Sequence, residues 1–287
     1  MFDVKKGTFL ARLTLCADDY GLNADVNDAI LALVKAGRLN AVSCMAVGSA
    51  FEAQPLLDAI SGAPIPVQIG LHLTLTEYKP LTAMPHLADA GMLPPVGSLL
   101  LDSHLRRINR VEIAREFESQ FDAFEGAFGR LPDFMDGHQH IQIFPGIRED
   151  VINLLTTRKF GGETNRGWVR CCDAPTADLI TQRNPRAILL AAMARRQRTR
   201  LARAGLHSNE RFYGVNTFDQ RESCRTLMRR WLRLVAKKTS PALIMCHPGQ
   251  GAPNADDPIS ARRLDEFTYL DSPHFPEDLA TLGLSLG

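Results

Sequence analysis

Short apolar β-like runs alternate with longer helical patterns along almost the whole chain, and that alternation predicts parallel β/α architecture rather than a sandwich or a bundle. The strand candidates are Arg12 to Ala17, Ala41 to Val47, Val67 to Leu73, Phe134 to Gly137, Trp168 to Arg170, Arg211 to Val215 and Leu243 to Cys246. A regular (β/α) barrel has eight strands, so about seven predict an α/β barrel that is irregular or incompletely closed. Asp25 to Ala36 sets Val26, Ala29, Ile30, Leu33 and Val34 on one helical face and stops at Gly37. Arg110 to Phe128 aligns Ile113, Phe117, Phe121, Phe124 and Phe128 at spacings of three and four before Gly129. Helical patterns also cover Ile147 to Thr157, Arg186 to Ala204, Arg221 to Lys237 and Ala261 to Leu270. Residues 77 to 109 carry Pro80, Pro85, Pro94 and Pro95 with Gly91 and Gly97 and read as a long excursion over one rim, where long loops are usually functional or disordered. No internal repeat or Ser/Gly-rich linker divides the chain, so one domain over residues 1–287 is expected.

Hydrophobic residues make up 45% of the chain, enough for a sizeable core, and the net charge of +1 gives no electrostatic reason to expect nucleic acid as a partner. The amino terminus has no apolar core followed by a small-residue cleavage site, and no apolar run is long enough to cross a bilayer, so a cytoplasmic location without an integral membrane segment is expected. Six scattered cysteines without a CxxC pair suit reduced, buried thiols. Oligomeric state is open, and a homodimer is compatible with the sequence.

Groups able to bind metal or move protons recur where apolar strands end. Asp18 and Asp19 follow LTLCA, His72 follows VQIGL, His138 and His140 flank the end of DFMDG, and His247 follows ALIMC. In a parallel barrel all strand carboxyl ends face one rim, so these positions converge. Each cluster alone has an ordinary explanation. Asp19 or Asn23 can cap the next helix, a lone His72 in an alternating strand is more often a satisfied core residue, and surface histidine pairs occur by chance. Together they suggest more. Adjacent carboxylates at a strand end alternate in direction and so can take different tasks, one binding a cation and the other accepting a proton, and two histidines two residues apart share one side of an extended chain, an arrangement that suits a metal. Gly21 provides positive φ or room for substrate in the turn that follows. Cys246 reads as core packing, not as a nucleophile.

These pieces, ADDYGLNADVNDAI, IGLHLTLTE, DGHQHIQIFPGIRE and MCHPG in that order from Ala17 to Gly249, resemble the YdjC-like (ChbG/HpnK) carbohydrate deacetylases. Arg263, Glu266 and Leu270 also resemble that family's carboxyl-terminal R-x-x-E-x-x-x-L element. The resemblance implies an irregular barrel like that of the NodB-type polysaccharide deacetylases and a divalent cation, magnesium or zinc first, held by Asp19, His72 and His138. It further implies Asp18 as general base, His247 as general acid, and His140 beside the metal as a substrate or supporting contact. The implied partner is an N-acetylated sugar or glycoconjugate. Tyr20 stands where family members often have Phe, a change expected to alter packing and not chemistry.

Trp168 and Arg170, at the end of one strand, are further candidates to stack on a sugar ring and bind its acetyl or hydroxyl oxygens, with core packing equally open for Trp168. Phe212 to Gly214 has the same two readings. Between Asp178 and Glu210 lie Arg183, Arg186, Arg195, Arg196, Arg198, Arg200 and Arg203 without an acidic residue, a run that reads first as the solvated outer face of a helix. The rival functions are a metal-dependent hydrolase of another amide or ester and a sugar-binding barrel without turnover.

Overall fold

A computed structural model describes residues 13–161, 167–182, 184–253 and 257–286. Arg12, at the head of the first expected strand, and Arg183, first of the arginine run, fall outside them. The strands are β1 Leu13–Tyr20, β2 Ala41–Cys44, β3 Gln68–Leu73, β4 Phe134–Gly137, β5 Trp168–Val169, β6 His207–Ser208, β7 Arg211–Tyr213 and β8 Ala242–Cys246. They form one sheet in the order β6-β5-β4-β3-β2-β1-β8-β7. Every neighbouring pair is parallel. The sheet curls into a half-barrel, and among the described strands β6 and β7 are its two ends. The described strands number eight, against the expected seven or so. The additional strand, β6, is two residues of exposed His207 and half-buried Ser208, too short to carry an apolar alternation.

Ten α-helices accompany the strands among the described residues: α1 Ala24–Lys35, α2 Gln54–Ser61, α3 Val96–His104, α4 Arg110–Phe128, α5 Ile147–Thr157, α6 Thr176–Gln182, α7 Pro185–Arg203, α8 Cys224–Ala236, α9 Ser260–Asp271 and α10 His274–Thr281. α1 begins where the Asn23 side chain accepts from the Val26 amide, and it buries the five apolar residues its periodicity marked. α4 is capped by Asn109 and stopped by Gly129 at φ 65°. On the arginine-rich α7, Arg195 and Arg198 face Asp173 while Arg200 reaches Glu149. These partly exposed pairs suit an outer helix face.

The excursion is fixed to α4 by carboxylates. Glu116 accepts from the Leu81 and Thr82 amides at 3.0 and 2.8 Å and from the Thr82 hydroxyl at 2.7 Å. Glu112 binds the His86 ring. The segment is therefore an ordered wall that includes α3.

Inside the curl, side chains form layers because residues two apart on a strand share a face. The upper layer, toward the strand carboxyl ends, holds Asp18, His72, Asp136 and Arg170. One pleat below, Phe134 stacks on Trp168 with centroids 4.5 Å apart. The Phe134 ring occupies the space where a side chain at Gly70 would stand, and a Cβ there would overlap it. Gly70→Ala is therefore expected to cost about 1–3 kcal/mol by overpacking, read as a lower urea midpoint. An unchanged midpoint would mean that Phe134 withdraws freely.

Candidate active site and metal centre

The parallel register with β2 slips between Ala17 and Tyr20, and Asp19 takes φ 71°. This bulge carries both carboxylates of the pair into the rim with different partners. The turn that follows needs glycine, since Gly21 has φ 100° and a Cβ would come within 2.9 Å of the Met45 carbonyl oxygen.

Asp19 Oδ1 lies 3.1 Å from His138 Nδ1 and 3.3 Å from His72 Nε2. All three residues are at least nine-tenths buried. Ligand bonds of about 2.0–2.2 Å to one ion separate its ligand atoms by roughly 3 Å, so the spacing fits a single cation. One carboxylate and two imidazoles is also a donor set that divalent metals take, and three protein ligands suit an open, catalytic centre. His72 Nδ1 is 2.7 Å from Asp136 Oδ1, and the Ser43 hydroxyl donates to the same oxygen. That carboxylate fixes the ring with Nδ1 toward itself and Nε2 toward Asp19, and against the effect of burial Asp136 and Asp19 push His72 up to about 10, so a cation held at Nε2 would displace a proton.

The second oxygen of Asp19 accepts from Arg263 Nη2 at 2.8 Å, while Arg263 Nε donates to Asp257 at 2.7 Å. Burial opposes ionisation of Asp19, but the Arg263 guanidinium and His138 outweigh it and hold the carboxyl well below its usual range. Three positions after Arg263 on α9, Glu266 accepts from the His247 amide at 2.5 Å. Burial pushes its carboxyl up to about 7 despite that bond. One helix thus grips both ends of the row of site residues.

Asp18 is bound end-on by Arg170, with Nη1 to Oδ2 and Nη2 to Oδ1 both at 2.6 Å. The same guanidinium contacts Asp136 Oδ2 at 2.6 Å and the Cys16 thiol at 3.2 Å. Cys16, Asp18 and Asp136 make a second cluster with metal-like spacing, but its cationic place is taken by Arg170. Burial alone would raise the Asp18 carboxyl, and Arg170 reverses the balance to give about 2. His247 Nε2 lies 3.8 Å from Asp18 Oδ2, and Phe218 packs edge-on to its ring at 5.3 Å.

Burial pushes His247 down to about 4 against the pull of Asp18. A depressed imidazole pKa means that the unfolded chain binds a proton the folded chain refuses. This contribution is complete above about pH 6.5 and is lost as pH falls toward 4, to a ceiling of about 3 kcal/mol. In chelator, wild type is expected to lose more unfolding free energy than His247→Gln between pH 6.5 and 4.5. Parallel losses would contradict the depressed value.

The remaining expectations divide. Arg170 is fully buried, so it meets the Asp18 and Asp136 carboxylates and not a sugar. Trp168 packs against the core. It lies one pleat below Arg170, stacked on Phe134, with Nε1 directed to Gln68 at the first residue of β3, away from the rim. Pairing with Phe134 in register dictates that depth. Phe212 is buried beneath the His140 ring, 5.6 Å away, and Arg170. His140 sits at φ 62° beside the site, and burial pushes its ring down to about 3, so it is neutral. Asp136 and Arg263 are the residues whose place in the site sequence reasoning missed. Of the eight non-glycine residues with positive φ among the described residues, Asp19, Glu77, Gln139, His140 and Phe218 gather at this rim, a concentration of backbone strain typical of functional sites.

A family model described as YdjC-like protein matches residues 12–281. A Mus musculus protein named carbohydrate deacetylase is 26% identical over 301 residues, covering 96% of this chain and 93% of the relative. An Escherichia fergusonii protein named chitooligosaccharide deacetylase is 34% identical over 142 residues, covering 47% of this chain and 52% of the relative. A crystal structure from Enterococcus faecalis, described as a candidate cellobiose-phosphate cleavage protein, superposes with TM-score 0.69 at 20% identity and 96% coverage of both chains. That likeness shows a shared fold.

Proposed function

The chain belongs to the YdjC-like family, and from that membership and its rim cluster we propose that it is a metal-dependent hydrolase removing the acetyl group from the nitrogen of an N-acetylated sugar. The carrying observation is the convergence of Asp19, His72 and His138 at ligand spacing, with Asp18 and His247 alongside. The names of relatives as carbohydrate and chitooligosaccharide deacetylases support the substrate class. In this reading one domain carries the activity.

Asp19 Oδ1, His72 Nε2 and His138 Nδ1 would hold one divalent cation, a donor set that suits zinc and admits magnesium. When bound, the ion would lend Lewis acidity to the acetyl carbonyl and to the attacking water. Arg170 keeps Asp18 ionised, and Asp18 accepts the water proton at Oδ2. His247 is neutral at rest near pH 7, so the proton it delivers from Nε2 to the departing amine enters during the cycle, with Asp18 Oδ2 its source at 3.8 Å. Asp136 orients His72, Arg263 fixes the second oxygen of Asp19, and both keep the ligands aimed when substrate arrives.

The test is acetate release from N-acetylglucosamine oligomers with zinc or magnesium added. Metal-dependent release that stops in chelator is expected. A folded, metal-loaded protein that spares every N-acetyl sugar but cleaves simple esters would overturn the reading.

A further inference from the structure

Two aromatic rings stand at opposite ends of the site, and the chemistry above does not use them. Tyr78, in the excursion, packs edge-on to His138 with centroids 5.6 Å apart. Phe218, in the loop between β7 and α8, packs against His247 in the same way. The two histidines follow β4 and β8, which β3, β2 and β1 separate in the sheet. Both rings are half-buried, so each keeps surface at the rim.

Each ring is held in place by its own loop. Glu77, just before Tyr78, takes φ 65° and its carboxylate accepts from Gln139 Nε2 at 2.9 Å, tying the excursion to the turn that carries His138. The Leu93 amide closes the segment onto the Tyr78 carbonyl oxygen at 2.9 Å. Phe218 itself adopts φ 59°, rare for an aromatic residue, and its amide donates to the buried Asn216 side chain at 2.7 Å. Arg186 binds the carbonyl of Thr217 and Arg262 that of Asp219, so the chain is fixed on both sides of the ring.

We propose that these two residues sort the two halves of the substrate, Tyr78 bounding the pocket for the acyl group and Phe218 supporting the sugar ring that carries the leaving nitrogen. The assignment rests on the deacetylase reading, which places the acyl carbon at the Asp19 end of the row and the amine at the His247 end. The group beside Tyr78 is then the acetyl methyl, and a ring wall there excludes longer chains. The group beside Phe218 is the pyranose, whose C–H face packs on an apolar ring.

Tyr78→Ala, Phe218→Ala and Phe218→Trp are assayed on the N-acetylglucosamine disaccharide and its N-butyryl counterpart, with bound zinc and circular dichroism confirming that each variant is folded and loaded. Phe218→Ala is expected to raise KM for the disaccharide about tenfold, more than it lowers kcat, and Phe218→Trp to restore it. Tyr78→Ala is expected to raise the butyryl-to-acetyl ratio of kcat/KM at least about tenfold, since each methylene in a shaped pocket discriminates about 10–200-fold. A KM unmoved in Phe218→Ala, a Trp variant as poor as the Ala variant, or an unchanged acyl ratio overturns the assignment. Should wild type release no acetate, the deacetylase reading fails, and calorimetric titration with the disaccharide decides the platform separately. Binding lost in Phe218→Ala and regained in Phe218→Trp upholds it, whereas no binding to wild type, or equal binding to all three, overturns it.

Discussion

Replacing Arg170 by methionine is expected to destabilise the protein by about 3–5 kcal/mol, the largest stability loss we foresee for a single side chain. Arg170 has no exposed surface and neutralises two carboxylates, Asp18 and Asp136, that are themselves buried. Removing it leaves both anions in the interior without their counter-ion, and the desolvation they then suffer is what sets the magnitude. Lysine should rescue little, because a single ammonium cannot reproduce the two-pronged contact to Asp18 and the third contact to Asp136. Urea unfolding of wild type, Arg170→Met and Arg170→Lys provides the check. A loss below about 1 kcal/mol would mean that the carboxylates find water or protons cheaply, contrary to the burial described above.

Two neighbouring substitutions are expected to fail in different ways. Asp19→Asn removes the only carboxylate among the three ligand candidates and should abolish tight cation binding together with acetate release. Asp18→Asn should leave the cation bound while kcat falls about 10²–10⁴-fold, the usual worth of a positioned proton acceptor. Arg170 keeps Asp136 as a partner in that variant, so the fold is expected to survive. Calorimetric zinc binding beside acetate assays separates the two outcomes. Equal zinc affinity in both variants, or equal loss in both, would contradict the division of labour.

Much of the framework can be read in the chain because it is local. Val26, Ala29, Ile30, Leu33 and Val34 recur with helical period, α4 spans its periodic run and stops at Gly129, and α5 spans the expected Ile147 to Thr157. Asp18, Asp19, His72, His138 and His247 stand out because each follows an apolar run that has to be a strand. Other features depend on contacts that no local pattern encodes. Asp136 acquires its place from His72, which is 64 residues earlier, and Arg263 from Asp19, 244 residues away. The R-x-x-E-x-x-x-L element was visible, but which groups it would grip was not. Trp168 and Arg170 share a strand face, and only the register with Phe134 and Asp136 reveals that one lies in the interior layer while the other clamps the site. β6 is too short to carry a pattern, and the proline-rich excursion hides α3.

Crystals grown with zinc, measured on both sides of the zinc absorption edge, test the central claim most directly. The account predicts one anomalous peak within about 2.0–2.2 Å of Asp19 Oδ1, His72 Nε2 and His138 Nδ1, with Arg170 still clamped between Asp18 and Asp136. A peak bound elsewhere, or ordered side chains of those three residues around no ion at saturating zinc, would contradict it.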